Sequence, residues 1–284
     1  VATPEIVVAT FNLHAGIDGW GRTFDVVAAC AELDADVVVL EENWADERGE
    51  SLARRIATVL GYSAHEAFLC DAMIFEPPSV TSRRWGPARK DQSAARPLWV
   101  TDKETLAKVR RRRGGAARLG SWGIAVLSRP AVRRVETVEL GRLSRDNSRL
   151  RAALFAEIDL GSTSLTVIGT HLAHFVQGSP VLMARLRRAL PPIDEPAVIA
   201  GDMNFWGPPV SLGLPGWRRA VRARTYPAWR PHSQVDHIFV TKALQVVSGR
   251  SVLAGRSDHL PIRARLALGQ DVTDQRPVRS DLGS

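Results

Sequence analysis

Ala197-Val198-Ile199-Ala200-Gly201-Asp202-Met203-Asn204 is a short apolar run, of the length of a buried strand, that breaks at a glycine and delivers an Asp and an Asn two positions apart. If the strand continues into them, both side chains stand on one face. The same plan recurs outward in both directions. Upstream lie Thr10-Phe11-Asn12-Leu13-His14, Leu40-Glu41-Glu42 and Gly169-Thr170-His171-Leu172; downstream lie Val235-Asp236-His237 and Ser257-Asp258-His259. Each closes or borders a β-like apolar run. A carboxamide, a hard carboxylate, further Asp residues and two His, all placed where buried strands end, are what a divalent cation and a phosphate ester require. The pattern implies a metal-dependent phosphoester hydrolase.

The intervening sequence sets the architecture. Ile6–Phe11 reads as a strand, Phe24–Leu33 has helical spacing, and Val37–Leu40 resumes β character, giving strand, helix, strand with a polar group closing each strand. A second helix is expected over Glu47–Leu60, ended by Gly61, and a strand over Ala67–Phe75 before Pro77-Pro78. Gly123–Ser128, Val132–Leu140, Arg151–Leu160 and Leu165–Thr170 are successive strands, the last two joined by a Gly161-Ser162 turn. Val181–Leu190 is a basic amphipathic helix, Trp206–Pro215 is loop, and Val235–Val240, Leu244–Val252 and Leu260–Leu268 complete the β count. Strands dominate with helices interspersed, which fits two packed sheets flanked by helices. Residues 1–268 are read as one domain and 269–284 as a polar, frayed tail.

At 284 residues with 45% apolar content the chain can bury one large core. No apolar run reaches the roughly 18–20 residues a bilayer span needs, and Val1-Ala2-Thr3-Pro4-Glu5 lacks a secretory pattern, so a cytoplasmic location is expected unless a signal peptide was removed. Cys30 and Cys70 lie far apart in apolar surroundings and are expected to be buried free thiols rather than a disulfide or zinc pair. The net charge of +8 is local. Residues 83–118 hold 12 Lys/Arg against 3 Asp/Glu, and the rest of the chain holds 26 against 27. A basic patch near an active site attracts polyanions. Thr101-Asp102-Lys103-Glu104 has capping-box spacing for a short helix to Arg113 inside this elaborated loop.

These motifs, in this order, resemble the endonuclease/exonuclease/phosphatase superfamily, the fold of DNase I, AP endonucleases, neutral sphingomyelinases and inositol polyphosphate 5-phosphatases. The resemblance spans about Ile6 to Leu268. It implies a four-layer α/β sandwich, two mostly antiparallel sheets flanked by helices, with the site at one edge. It also implies Mg²⁺ or Mn²⁺ as cofactor, with Glu42 as metal ligand, since Leu40-Glu41-Glu42 matches the family's Leu-Gln-Glu with Glu41 in the Gln place and adds a possible negative charge there. Asn12 would add its carbonyl oxygen to the metal shell and Asp258 would approach the metal. Asp202 and Asn204 would place and deprotonate water and bind a phosphoryl oxygen. Asp236 would pair with His259, fixing the tautomer and favouring imidazolium. His171 would contact the scissile phosphate from the opposite side. Arg151, in Arg151-Ala152-Ala153-Leu154, resembles the family's Arg-Gly-x-Leu strand with Ala for Gly, and is taken as substrate-binding. His14 and His174 receive no role, and His237 is expected to point away from Asp236.

For the substrate, residues 83–118 with Trp85, Trp99 and Trp122 suggest nucleic acid, through phosphate contacts and stacking. The motifs of the AP-endonuclease branch are replaced by Gly120-Ser121-Trp122-Gly123 and Ser148-Arg149-Leu150-Arg151, and the 5-phosphatase signature is absent after Asn204. Thr225-Tyr226-Pro227-Ala228-Trp229-Arg230-Pro231 resembles sphingomyelinase-like and bacterial members, which makes a phospholipid or small phosphodiester the runner-up. A non-catalytic nucleic-acid binder is the third reading, opposed by the retention of Asn12, Glu42, His171, Asp202, Asn204, Asp236 and His259. A monomer is expected.

Overall fold

In the computed structural model, residues 5–75, 96–99, 117–147 and 149–268 are described. Thirteen strands form two sheets: β1 (Glu5–Asn12), β2 (Val37–Asp46), β3 (Ser63–Phe75), β4 (Arg96–Trp99), β5 (Ala117–Ser128), β6 (Val132–Arg142), β7 (Leu150–Asp159), β8 (Ser164–His171), β9 (Ala197–Asp202), β10 (Arg218–Arg219), β11 (Asp236–Val240), β12 (Leu244–Ser251) and β13 (Ile262–Leu268). The seven-stranded sheet runs β12-β13-β1-β2-β5-β3-β4 and the six-stranded one β10-β11-β9-β8-β7-β6. Among the described residues three α-helices, α1 (Val26–Ala31), α2 (Leu52–Leu60) and α3 (Ser179–Ala189), cover the outer faces.

Alternation along each strand creates the layers. Val8, Val37, Val39, Ile124 and Val126 of one sheet meet Leu154, Val167, Val198, Ala200 and Ile238 of the other in a buried central core. The opposite faces carry Phe11, Val38 and Leu40 against α1 and α2, and Ile168, Ile199 and Phe239 against Leu182, Met183 and Leu186 of α3. The result is the four-layer α/β sandwich expected from the sequence.

Most β pairs are antiparallel, and two are parallel: β1 with β2 and β8 with β9. Each parallel pair is joined through a helix, α1 in one sheet and α3 in the other, because parallel neighbours need a crossover. Both pairs therefore release their C-terminal ends on one side. Asp236 opens β11, antiparallel to β9, and His259 precedes β13, antiparallel to β1, so they arrive at that same edge.

The helices are capped locally. Asp25 accepts from Val27 and Ala28 N–H, and Ser51 accepts from Arg54 N–H. Gly61 (φ 74°) ends α2 in the left-handed conformation that glycine tolerates. α2 starts at Leu52 rather than Glu47, because β2 does not stop at Glu42. It continues to Asp46 across an irregularity between Leu40 and Asn43, where Glu42 takes φ 52°. The loop 206–215 contains a 3-10 turn at Pro209–Gly213. Cys30 is buried and Cys70 half-buried, both free, and burial pushes each thiol up to about 12. The helix expected over 101–113 and the tail 269–284 lie outside the described residues, as does the basic segment 83–118 apart from 96–99 and 117–118. No helix among the described residues is long and apolar enough to cross a membrane.

Candidate active site

The strand register lines up the polar ends. Asn12 pairs with Glu41 across β1 and β2, His171 with Asp202 across β8 and β9, and Asp202 with Asp236 across β9 and β11. By alternation Asn12, His171, Asp202 and Asp236 continue the inward faces of their strands, so the two sheets bring these groups together where the apolar core ends. Asn12 Nδ2 donates across the gap to Asp202 Oδ2 at 3.2 Å.

His259 is gripped by Asp236, its Nδ1 lying 3.1 and 3.0 Å from the two carboxylate oxygens. Its Nε2 is 3.8 Å from Asp202 Oδ2. Burial works against a charge on the ring, yet Asp236 and Asp202 outweigh it and hold His259 well above the usual imidazole range. Burial likewise pushes Asp202 up to about 7, against the pull of His259. On the other side, His171 Nε2 is 3.5 Å from Asp202 Oδ2 and 3.2 Å from Asn204 Nδ2. Burial, with Arg151 nearby, drives His171 well below the imidazole range, so this ring is neutral. One Asp thus stands between a cationic and a neutral imidazole.

Asn204 does not share a strand face with Asp202. The strand ends at Asp202, Asn204 turns left-handed (φ 47°), and Asp202 Oδ1 accepts its backbone N–H at 2.8 Å in an Asx turn. That turn swings the Asn204 amide onto His171 and the Leu172 carbonyl (3.1 Å).

Arg151, expected to bind substrate, is 3% exposed, and its guanidinium is occupied from within. Its Nε and Nη2 donate to Asp146 at 2.7 and 3.2 Å, its Nη1 donates to the His171 carbonyl at 3.2 Å, and the guanidinium lies over Trp122. The physical reason is the placement of its guanidinium over Trp122 and against the His171 carbonyl, where a turn brings Asp146 within reach. Its observed contacts are those of a positioning residue.

Two sets of groups can hold a metal. Asp202, Asp236 and His259 offer atoms within 4.8 Å of one another. In that set, however, both Asp236 oxygens are already engaged by His259 Nδ1, at 3.1 and 3.0 Å. Glu42 fits better. Its Oε2 is buried without a hydrogen-bond partner, burial pushes its carboxyl up, and His14 and Asp258 are among the charged groups that act on it. Asp258 stands 3.7 Å from His14. The Asn12 Oδ1 accepts His14 N–H at 3.0 Å. Glu42, Asp258 and the Asn12 carbonyl are hard oxygen donors of the kind Mg²⁺ and Mn²⁺ select.

Several contributors sit inside the quoted motifs without being named there as site residues. Glu41 is fully buried and accepts from Thr10 Oγ1 at 2.5 Å. Burial, reinforced by Asp236 and Asp202, favours its protonated form, so the extra negative charge expected there is suppressed. Thr225 Oγ1 accepts from the backbone N–H of Asp236 at 3.4 Å, Ser257 Oγ donates to the Asn12 carbonyl at 2.7 Å, and Tyr226 packs its ring on His259. Thr225 and Tyr226 belong to the Thr-Tyr-Pro stretch, a detectable motif; Asp146 is brought in by a turn and had none. His237 points to the opposite face as expected, donating Nε2–H to the Phe205 carbonyl at 2.8 Å.

Comparison with known proteins places this geometry in context. No curated protein matches the sequence. Among solved structures, an endonuclease/exonuclease/phosphatase from Beutenbergia cavernae is 22% identical, with a TM-score of 0.62 over 93% of this chain and 72% of that one. A Bacteroides vulgatus protein described by the same three activities is 16% identical (TM-score 0.60; 94% and 100% covered). The human Nocturnin catalytic domain, solved with a bound sulfate anion, is 15% identical (TM-score 0.59; 94% and 96% covered). At such identities the likeness shows the fold. The sequence model of the family matches residues 9–259, which takes in every one of the strand-end motifs from Asn12 to His259, and the chain belongs to the endonuclease/exonuclease/phosphatase family.

Proposed function

We propose that this protein is a divalent-metal-dependent phosphodiesterase that hydrolyses nucleic acid. The observation that carries the reading is Asp202 Oδ2 set between the Nε2 atoms of His171 and His259, at 3.5 and 3.8 Å, in a site where the buried Glu42 Oε2 has no hydrogen-bond partner. A catalytic base works best with a pKa near the operating pH, and Asp202 at about 7 has it. Family membership supports phosphoester hydrolysis as the reaction class.

In this mechanism Glu42, Asp258 and Asn12 Oδ1 would hold a Mg²⁺ or Mn²⁺ ion, which would supply neutralisation of phosphoryl charge and stabilisation of the leaving oxygen. Asp202, steadied by the Asn12 amide and the Asn204 N–H, accepts a proton from the attacking water. His259, with Nδ1 committed to Asp236, presents its Nε2–H to a phosphate oxygen. Asn204 and His171 hold the opposite side of the phosphoryl group, and Arg151 keeps His171 in place through its carbonyl.

The test is hydrolysis, with Mg²⁺ or Mn²⁺ and with EDTA, of bis-p-nitrophenyl phosphate, plasmid DNA, single-stranded oligonucleotide, RNA and sphingomyelin. Metal-dependent cleavage of a nucleic acid, absent in Asp202→Ala, is the expected result. Turnover of lipid alone would reassign the substrate to phospholipid, and no metal-dependent turnover of any substrate would refute the reading.

A further inference from the structure

Between Asp202 and Asp236 the sequence holds five arginines and no Asp or Glu. The fold gathers three of them. Arg219, Arg222 and Arg224 line a cleft of about 600 Å³ together with Trp206, Gly207, Ala223, His232, Ser233 and Gln234. That volume lies within the range of small-ligand sites. Arg219 donates from Nη2 to Gln234 at 2.7 Å, but its Nε–H is buried without an acceptor. A Cβ at Gly207 would collide with the Arg219 guanidinium, so the glycine is what lets this fork lie against the chain. Arg222 adds repulsion to the burial that already lowers the Arg219 pKa. Among the described residues no carboxylate forms an ion pair with any of the three. Guanidiniums converging without a counter-charge form a receptor for an anion, and Arg forks suit phosphate.

The cleft also has an aromatic wall. Trp206 is 52% exposed and lies nearly parallel to Phe175, with ring centroids 5.2 Å apart and a 26° interplanar angle. Phe175 in turn packs on Phe205. An exposed, pre-stacked ring beside unpaired guanidiniums is the combination that single-stranded nucleic acid uses, bases on the ring and phosphates on the cations. The cleft adjoins the proposed reaction site. Trp206 is two residues beyond Asn204, and Gln234 two before Asp236, so chain reach alone keeps each within about 7 Å of its site residue. Gly207 N–H donates to the Gln234 carbonyl, tying the two flanks together.

We propose that this cleft is a subsite for a single polynucleotide strand, holding a nucleotide next to the scissile phosphodiester, with its base on Trp206 and its phosphate on Arg219, Arg222 and Arg224. The inference rests on the phosphodiesterase reading above and specifies its substrate as a single strand. Three guanidiniums beside a single exposed, stackable ring favour a strand, which carries a phosphate and a base in each unit, over a lipid surface, which offers no base to stack.

The experiment is fluorescence anisotropy of a labelled single-stranded oligonucleotide in EDTA, across a salt series, with intact protein. In Arg222→Ser/Arg224→Ser, affinity at low salt is expected to fall at least tenfold. The slope of log K against log salt should shrink by about 1.4, from roughly 0.7 per lost single-strand phosphate contact. Trp206→Ala should weaken binding about fivefold to a hundredfold with the slope kept. Arg222→Glu/Arg224→Glu should bind more weakly still. Both arginines are exposed, so a preserved melting temperature certifies the fold. Unchanged affinity and slope in the serine double variant would overturn the proposal, as would binding of phosphatidylglycerol vesicles with none of the strand. Cleft-dependent strand binding by a protein that hydrolyses no phosphodiester would refute the catalytic reading and leave the strand subsite standing.

Discussion

Replacing Arg151 by Met should destabilise the protein more than almost any other single substitution at the site. The Arg151 and Asp146 side chains are 4% and 0% exposed, and they are joined by two hydrogen bonds at 2.7 and 3.2 Å. Met preserves much of the volume beside Trp122 but leaves the Asp146 carboxylate buried, with only Arg149 at 3.9 Å to answer it. Breaking one side of a buried pair costs about 3–5 kcal/mol, and the residual Arg149 contact argues for the lower half of that range. With an unfolding entropy of about 2.1 cal/mol/K per residue, roughly 0.6 kcal/mol/K for this chain, a loss of about 3–4 kcal/mol becomes about 5–7 °C in Tm. The assay is urea and thermal unfolding of wild type, Arg151→Met, Asp146→Asn and the double variant. The double variant should recover at least half of the single-variant loss, because the cost lies in the orphaned charge rather than in the missing attraction. Raising salt should not narrow the gap, since the pair is shielded from the ions that screen surface charges. A loss below about 1 kcal/mol for Arg151→Met, or a double variant no more stable than the single, would refute the reasoning.

His237 makes stability depend on pH. Burial pushes its pKa down to about 4, while in the unfolded chain it returns to about 6.5, so below that pH the unfolded state binds the extra proton. Its contribution is complete above about pH 6.5 and is lost as pH falls toward 4, about 3 kcal/mol in total, and His237→Gln should flatten that slope in urea midpoints taken between pH 7.5 and 5. In Asp236→Asn the clamp on His259 loses its charge, so the ring should release its proton at a lower pH by histidine NMR. The kcat/KM of the metal-loaded enzyme should fall about a thousandfold or more, as when a histidine loses its orienting carboxylate. Mn²⁺ at a hundred times its Kd should raise stability by about 2.7 kcal/mol in thermal shift, and Glu42→Ala should abolish the increase. An equal shift in both proteins would place the ion elsewhere.

What the sequence revealed, and what it concealed, divides along the range of the interactions. Strand ends were legible because burial makes apolar runs such as Val37–Leu40 and Ala197–Ala200 continuous, so a polar residue at their end stands out. Boundaries set by backbone geometry were not. Glu42 sits in a left-handed conformation that lets β2 run on to Asp46, and no propensity favours a glutamate there. The Asp202–Asn204 pair was found, but its geometry was misjudged, since an Asx turn and a strand continuation leave the same four letters. Arg151 was picked out by motif and taken as substrate-binding; only the tertiary placement of Asp146, delivered by a turn, shows its guanidinium already engaged. The net charge hid a second basic feature. The arginines between Asp202 and Asp236 are offset elsewhere in the sum, and the fold is what gathers three of them in one cleft.

The site's precision comes from how closely the sheets approach beneath it. Gly169 lies two residues below His171 on the inward face of β8, and a Cβ there would come within 2.9 Å of Val39 Cγ1, itself two residues below Glu41 on β2. At Gly201 a Cβ would strike the Thr170 carbonyl of the neighbouring strand. These two glycines let the strands close to contact distance just under the layer of Asn12, His171, Asp202 and Asp236. Asn12 from one sheet can then reach Asp202 of the other with an amide rather than through water. Close-packed interiors transmit displacement instead of absorbing it. Gly169→Ala should therefore pry His171 and Asp202 away from Asn12 and Glu41 and lower kcat more than a stability loss of about 1–3 kcal/mol would suggest. Full activity in a correctly folded Gly169→Ala protein would show that the two halves of the site need not be held so tightly.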